Sequence, residues 1–182
     1  MRSAPAVIVV PASAAWPSPP RRRSPSPCPS AAPAAPTAPA VLPPPGPDTV
    51  QKRDGDSVQT NSQCQAVSGT WTSPYDGATW TQRDDLDIDH MVPLAQAWRS
   101  GTNAWTTAGR RQFANDLESP QPWTGTNNVN QAKGDKDPGL RKPPLVSFHC
   151  TYARSWTDVK YRYQLSVDQA ERTALQNMLA TC

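Results

Sequence analysis

The residues with the clearest chemical potential lie in one stretch, Asp84 to Leu94, which is written DDLDIDHMVPL. Its first seven positions hold four aspartates and His90, one of two histidines in the chain. Carboxylates this close repel one another, and a divalent cation such as Mg²⁺, which prefers oxygen ligands, would relieve the repulsion. A neutral imidazole beside the cation could take a proton from water. The stretch therefore indicates metal-assisted hydrolysis, and the simplest alternative is a solvated strand with a structural histidine.

The same stretch predicts a β-strand. Apolar and acidic positions alternate through residues 85–92, with Leu86, Ile88 and Val92 on one side and Asp85, Asp87 and Asp89 on the other. This period of two is typical of a half-buried strand, and Pro93 ends it. On a regular strand Asp89 and His90 point to opposite faces. Both can serve one site only if the backbone leaves regular strand geometry near His90.

The flanking segments predict a mixture of short strands and helices, an α+β fold. Two β-rich pieces, 69–73 and 77–81, surround the turn residues Ser73 to Gly77 and predict a hairpin. Helices are expected at 94–99 and 105–117, whereas Gln121 to Pro138 is polar without a periodic pattern. After Pro143 and Pro144, apolar spacing predicts a long helix. A last helix is expected to open with Ser166 and Gln169 as a capping box.

The N-terminal segment has a different composition. Residues 1–48 contain 15 of the 22 prolines, and most of the other residues there are Ala, Ser and Arg. Such a segment cannot bury enough apolar surface to offset the entropy of ordering, so residues 1–49 are predicted to be a disordered tail. The apolar run Ala6 to Val10, with small residues after it, is a weak secretion signal. Residues 50–182 have the size of one domain.

The distribution of charge limits how the domain could hold nucleic acid. The formal net charge is +3, and residues 1–49 account for all of it, because they carry four arginines against Asp48. The 14 basic and 14 acidic side chains of residues 50–182 cancel. The arginine run 21–23 is read as part of a solvated linker. Contact with phosphate must therefore be local or assisted by a metal ion rather than driven by bulk charge.

The cysteines favour a disulfide over a metal site. Cys64, Cys150 and Cys182 lie in the domain without a C-x-x-C pair, which argues against structural zinc. Cys150 is near the start of the predicted long helix, and Cys182 follows the last one. Two antiparallel helices would bring them together, so a Cys150–Cys182 disulfide is predicted in an exported protein.

The motif resembles that of the HNH, or ββα-metal, endonucleases. The resemblance rests on the sequence from Asp87 to Leu94, followed by Asn130, Lys133, Gly134 and Asp135 in an N-x-x-K-G-D pattern. It is most similar to HNH proteins exported by actinobacteria and related to the C-terminal domain of GmrSD-type restriction enzymes. It covers about residues 50–182, including Ser73 to Gly77. It implies a small ββα core with additional helices.

The resemblance also implies roles for individual residues. His90 corresponds to the general base that activates water, and Asp89 and Asn130 correspond to ligands of one divalent cation, Mg²⁺ or alternatively Mn²⁺. Lys133 corresponds to a phosphate contact. The supporting residues are Asp87, which would hold the ligands in place, Asp135 of the motif, and Gln121, the position nearest to an asparagine that orients the histidine. The implied substrate is DNA, with RNA as the alternative, and the implied protein is a secreted monomer without a membrane segment.

Two departures from the family pattern bear on activity. In relatives, the place of the Pro-rich tail is taken by a further segment that contains a cysteine able to pair with Cys64. Without that segment, Cys64 is expected to be unpaired unless Cys28 reaches it. The segment from Gln121 to Gly125 replaces an apolar strand, which argues against the second strand of the ββα unit. Two rivals to an active nuclease are therefore a nucleic-acid binder without activity and a disulfide-bonded extracellular interaction module.

Overall fold

The computed structural model describes residues 46–182, in which short strands and helices follow one another along the chain. The strands are β1 Asp56–Thr60, β2 Ala66–Thr72, β3 Thr79–Gln82, β4 Leu86–His90 and β5 Pro122–Thr126. The α-helices are α1 Pro47–Asp54, α2 Leu94–Arg99, α3 Thr107–Ala114, α4 Asn127–Lys133, α5 His149–Arg162 and α6 Gln169–Leu179. Short 3-10 turns span Arg83–Asp85, Thr102–Ala104 and Val146–Phe148. The predicted α+β class is confirmed.

The first sheet contains the predicted hairpin. Its strand order is β1-β2-β3, with both pairs antiparallel. The turn between β2 and β3 contains Gly77, whose φ of +75° is in the left-handed region that favours glycine. On the buried side of this sheet, Trp71 packs with Ala66 and Leu86 in a small apolar cluster. The hairpin prediction is therefore confirmed, and the turn places Tyr75 beside the second sheet.

The second sheet and the helix after it form a ββα unit. β4 pairs antiparallel with β5 in an unbroken register from Leu86↔Thr126 to His90↔Pro122. The strand predicted for residues 85–92 is present, although it ends at His90. The prediction that Gln121–Gly125 does not form the second strand is wrong, since β5 lies there. The segment has no apolar pattern, but pairing with β4 and burial of its threonines stabilise it as a strand. α4 begins at the residue after β5.

The main core lies between the C-terminal helices and the ββα unit. α5 buries Tyr152, Trp156 and Val159, and α6 contributes Leu175 and Met178 to the same cluster. The cap of α6 differs from the prediction, since the side chain of Asp168, and not that of Ser166, accepts from the Glu171 N–H. The Ser166 hydroxyl instead donates to the Ser100 carbonyl. Asp168 is preferred because it is the residue directly before the first helical turn.

Disulfides tie the chain at two places. The Cys150–Cys182 bond is present and joins the start of α5 to the residues after α6, so this prediction is confirmed. Cys64 is also disulfide-bonded, so the first of the two alternatives predicted for it, an unpaired thiol, is excluded; Cys28, the other alternative, lies outside the described residues. Both bonds suit an oxidising compartment.

The folded region begins a few residues earlier than predicted, with helix α1. It begins at Pro47, so the predicted boundary between residues 49 and 50 falls inside a helix. Asp54 at its end accepts from the backbone N–H of Thr124, and Arg53 donates to the Pro122 carbonyl. The end of α1 thereby satisfies backbone groups of β5 that β4 does not reach. The rest of the predicted tail, residues 1–45, lies outside the described residues.

None of the helices in residues 46–182 has the length and apolar character needed to span a membrane.

We expect Cys150→Ser to lower the free energy of unfolding by about 3–4 kcal/mol under oxidising conditions. The bond closes a loop with a sequence separation of 32 residues, and its loss restores that loop's entropy to the unfolded chain. Urea denaturation of wild type and variant measures the difference. With a reductant present, the two proteins should unfold at nearly the same urea concentration; a difference that persists would mean that the serine itself disturbs the fold.

Candidate active site

Asp89 is the centre of a buried polar cluster on the α4 side of the ββα unit. Its side chain is 4% exposed, and its two carboxylate oxygens lie 2.7 and 2.6 Å from the Lys133 Nζ. Tyr75 donates its hydroxyl to Asp89 Oδ2 at 2.6 Å. The Lys133 ammonium also donates to the His90 carbonyl oxygen at 2.6 Å. The last turn of α4 is thus fastened to the end of β4 by a charged hydrogen-bond network.

Tyr75 reaches Asp89 because the neighbouring strand carries a glycine. A Cβ placed on Gly125 would lie 2.7 Å from Tyr75 Cδ2, closer than real contacts allow. Gly125 stands opposite Asp87 in the register, so it shares the face of the sheet on which Asp87 and Asp89 lie. The Tyr75 backbone is fixed as well, since its carbonyl accepts from the Leu145 N–H at 2.9 Å. Gly125 therefore allows close approach of the ring to the strand.

The low exposure of this cluster controls its protonation. Burial lowers the pKa of Lys133, and the Asp89 carboxylate opposes that shift. Burial, followed by the charge of Asp89, raises the pKa of Tyr75 well above its ordinary value. The tyrosine therefore remains a hydrogen-bond donor throughout the neutral range.

Asn130 stands beside this cluster and is joined to the second aspartate of the motif. Its Nδ2 donates to Asp87 Oδ2 at 3.1 Å. Asn130 and Asp89 line the same small pocket, whose volume of about 10 Å³ holds about one water molecule. The Asn130 amide nitrogen is engaged by Asp87, so its carbonyl oxygen is left to act as an acceptor or a metal ligand. A carboxylate residue and an amide residue thus line the same pocket.

His90 lies on the other side of β4 from Asp89, as strand alternation requires. It does not line the pocket that Asp89 and Asn130 share. Its Nε2 is 2.8 Å from the carbonyl oxygen of Ala114, at the end of α3. A carbonyl only accepts, so Nε2 carries the proton and Nδ1 keeps the lone pair. Nδ1 makes no hydrogen bond with any residue in the range 46–182.

The remaining predicted residues lie apart from the pocket. Gln121 is fully buried, and its side-chain amide exchanges hydrogen bonds with the N–H and carbonyl of Val92. It thus fixes the backbone that follows His90 and forms no hydrogen bond with the imidazole, whereas the resemblance implied that Gln121 orients the histidine. Asp135 accepts from Arg99 at 2.7 Å in an exposed ion pair that links α2 to the residues after α4.

Sequence reasoning did not assign Tyr75, Arg141 or Lys142 to the site, although all three line the small pocket. Arg141 and Lys142 are exposed. Within the described part of the chain, neither forms an ion pair or a side-chain hydrogen bond. The adjacent Arg-Lys pair ahead of two prolines was the available signal, but only the fold places it beside Asp89.

The donor set fits a weakly held hydrated cation and not a closed metal centre. Among residues 46–182, no three His, Cys, Asp or Glu side chains are grouped to hold a metal ion. The Asp89 carboxylate and the Asn130 carbonyl supply two hard oxygen donors, and Mg²⁺ commonly binds proteins through so few, with water and substrate phosphate completing its shell. The ammonium of Lys133 occupies the same carboxylate, so a cation would have to displace or adjoin it.

The described residues form an α+β domain in which Asp89 and Asn130 of a ββα unit line one pocket. Residues 51–178 match the model of the C-terminal domain of GmrSD restriction endonucleases, and the chain belongs to that family. This confirms the relation to the C-terminal domain of GmrSD-type enzymes, whereas the HNH type that the motifs implied stays a prediction.

The chain is also similar to a fungal protein. It is 58% identical over 135 residues to an "Uncharacterized secreted protein" of Arthroderma benhamiae, a match that covers 74% of this chain. The match spans 66% of that relative, slightly less than two thirds of its length. No solved structure matches the chain. Because this relative is fungal, the actinobacterial origin implied by the motifs stays a prediction.

We expect Lys133→Met to lower the free energy of unfolding by about 3–5 kcal/mol, because it leaves the Asp89 carboxylate buried without its counter-charge. Lys136→Met is the matched control: this lysine lies on the same segment but is exposed and donates only to a backbone carbonyl. Its effect should be small. Urea denaturation at neutral pH measures both.

If Lys133→Met and Lys136→Met unfold with the same free energy, the ion pair between Lys133 and Asp89 does not have the expected role in stability. A Lys133→Met, Asp89→Asn double variant should recover part of the loss, because it removes the unpaired charge.

Proposed function

We propose that this domain is an HNH-type endonuclease that hydrolyses phosphodiester bonds of DNA, with RNA as an alternative substrate. The observation that carries the proposal is the hydrogen bond between His90 Nε2 and the Ala114 carbonyl. It holds the imidazole in the tautomer whose Nδ1 can accept a proton from water. Membership of a restriction endonuclease domain family supports the same chemistry.

Asp89 and Asn130 would hold the divalent cation, with Mg²⁺ the first choice and Mn²⁺ the second. When bound, the cation would supply Lewis-acid stabilisation of charge at the phosphate and the leaving oxygen. Asp87 orients Asn130 by accepting from its amide nitrogen. Tyr75 orients Asp89 by donating its hydroxyl to Asp89 Oδ2, so that the ligand oxygens would be fixed before substrate arrives.

The cations around the pocket would bind the substrate backbone. Lys133 is already at the carboxylate, and Arg141 and Lys142 stand at the pocket mouth without an ionic partner in residues 46–182. Because the charge of Lys133 is already balanced by Asp89, the two exposed side chains Arg141 and Lys142 would supply most of the local phosphate contact that the neutral domain as a whole does not provide.

One observation favours a second candidate, a nucleic-acid binder that does not cut. The Lys133 ammonium contacts both Asp89 oxygens, which is the arrangement expected if lysine permanently replaces a cation. Plasmid nicking with Mg²⁺ and with EDTA separates the two candidates. Cleavage that needs Mg²⁺ supports the enzyme, whereas salt-sensitive binding without cleavage supports the binder.

We also propose that the protein is secreted. Two features support this: the fungal relative is called a secreted protein, and the described domain contains the Cys150–Cys182 disulfide together with a bonded Cys64.

We expect His90→Ala to slow plasmid cleavage by about 10²–10⁴-fold at saturating Mg²⁺, because the proposed base is lost. His149→Ala is the matched control, since His149 Nε2 likewise lies 2.8 Å from a backbone carbonyl, that of Pro143, and His149 does not line the pocket. It should cleave at nearly the wild-type rate. A His90→Ala enzyme as fast as wild type would exclude His90 as the base.

We expect Asn130→Ala to raise the Mg²⁺ concentration needed for half-maximal cleavage, while excess Mg²⁺ restores much of the rate. Asn128→Ala, an exposed position on the same helix, should leave the Mg²⁺ requirement unchanged. Titration of Mg²⁺ in the nicking assay measures both. If Asn130→Ala lowers the rate equally at every Mg²⁺ concentration, Asn130 acts on something other than the cation.

A further inference from the structure

The small pocket beside Asp89 contains one hydroxyl group that the fold leaves unpaired. It belongs to Tyr152 of α5, which is 1% exposed and lines the pocket. Tyr75, another tyrosine of the pocket, donates its hydroxyl to Asp89 Oδ2. The Tyr152 hydroxyl, by contrast, forms no hydrogen bond with any residue in the range 46–182. Because buried polar groups are nearly always hydrogen-bonded, this hydroxyl indicates a partner that enters the pocket.

The Tyr152 hydroxyl can be reached from the pocket. The side-chain polar atoms of residues 46–182 that are both unpaired and sealed from solvent belong to other residues, such as Gln51 and Thr124. Since Tyr152 is unpaired and is not one of them, its hydroxyl keeps access to solvent, and its place in the pocket lining supplies that access. The pocket volume of about 10 Å³ is enough for one oxygen atom, that of a water molecule or of a phosphate group.

Aromatic packing holds the ring of Tyr152 in one orientation. Its centroid lies 6.1 Å from those of Tyr75 and Phe148 and 5.8 Å from that of Trp156. The contacts with Tyr75 and Phe148 are edge-on, which is a favoured geometry for aromatic pairs. A partner therefore meets the hydroxyl at a defined point, and little entropy is lost in ordering the side chain.

The charges around the pocket determine the kind of partner. Burial, followed by the charge of Asp89, raises the pKa of Tyr152 well above its ordinary value, so the hydroxyl stays protonated and donates. The Asp89 carboxylate is already balanced by Lys133 at 2.6 Å. Arg141 and Lys142 line the same pocket and are exposed. One neutral donor and two exposed cations suit a group that accepts hydrogen bonds and carries negative charge, and a phosphate has both properties.

We propose that Tyr152 is a substrate-binding residue whose hydroxyl donates a hydrogen bond to a non-bridging oxygen of a phosphodiester. The proposal rests on the proposed nuclease function and adds a neutral donor to the phosphate contacts of Arg141 and Lys142. One phosphate oxygen enters the pocket, and the two cations contact the oxygens that stay outside. A hydroxyl on a fixed ring gives direction, because a hydrogen bond weakens steeply when it is bent. Tyr152 thereby sets how the phosphate is turned relative to Asp89.

Three probes separate the possible partners: thymidylyl-3′,5′-thymidine carries one phosphodiester, thymidine carries none, and inorganic phosphate is a free anion. Titration in EDTA measures binding without cleavage and without a metal ion. With the full chain labelled at the tyrosine Cζ carbons, NMR reports each of its four tyrosines. The dinucleotide should shift the Tyr152 signal, and thymidine should not. The signal of Tyr161, an exposed residue of the same helix, should stay unchanged.

Tyr152→Phe should weaken dinucleotide binding about tenfold, the effect of losing one hydrogen bond to a charged group. The melting temperature should not fall, because no group in residues 46–182 loses a partner. Tyr161→Phe is the matched control and should change neither quantity. In the nicking assay, Tyr152→Phe should lower kcat/KM and leave the Mg²⁺ concentration for half-maximal cleavage unchanged. If Tyr152→Phe does not fold, the Cζ shifts of the wild type decide the matter.

Equal dinucleotide binding by the wild type and Tyr152→Phe would overturn the proposal. A lower melting temperature of the variant would do the same, since the hydroxyl would then serve the fold. A Tyr152 shift with inorganic phosphate but none with the dinucleotide would also refute it, because the pocket would bind a free anion and not the nucleic-acid backbone. If water is the only partner of the hydroxyl, no probe will shift the Tyr152 signal.

These outcomes are separable from those for the proposed function. Plasmid cleavage with the same kcat/KM in the wild type and Tyr152→Phe would retain the nuclease and exclude the role of Tyr152. Dinucleotide binding that depends on Tyr152, in a protein that does not cleave, would retain the role of Tyr152 and exclude the nuclease.

Discussion

The ion pair between Asp89 and Lys133 is the interaction on which the candidate site depends. Both side chains are almost fully buried, so neither charge can be left unpaired without a large cost in free energy. The pair joins the end of β4 to the last turn of α4, and Tyr75 connects both to the first sheet. A buried pair of this kind contributes little net stability compared with apolar packing. Its value lies in fixing where the carboxylate and the helix stand relative to each other.

Charge is distributed unevenly around the small pocket. The buried ion pair of Asp89 and Lys133 is balanced within itself, whereas Arg141 and Lys142 line the same pocket and are exposed. These two side chains give a local positive field although the charges of residues 50–182 cancel in sum.

His90 is the one proposed catalytic residue that points away from the small pocket. Strand alternation directs it away from Asp89, and the strand is regular up to its last residue. The carbonyl of Ala114 fixes the imidazole, and Gln121 fixes the backbone beyond it. Met91 and Val92, which follow the strand, are fully buried, and the Met91 N–H donates to the Gln121 carbonyl. The position of His90 is therefore set by the packing of the chain on both sides of it and not by a partner near Asp89.

The sequence by itself determined the elements whose signals are local. The alternation from Asp85 to Val92 predicted β4, the turn residues around Gly77 predicted the hairpin, and the spacing of Cys150 and Cys182 on two helices predicted their disulfide. Tertiary structure decided the rest. β5 has no apolar pattern and forms because β4 pairs with it, and Tyr75, Arg141 and Lys142 join the pocket from distant parts of the chain. The partner of Asp89 was also decided there, since burial of an ion pair depends on packing between segments more than forty residues apart. Local patterns reflect backbone and side-chain preferences of neighbouring residues, whereas a buried charge is tolerated only where the whole fold supplies its counter-charge.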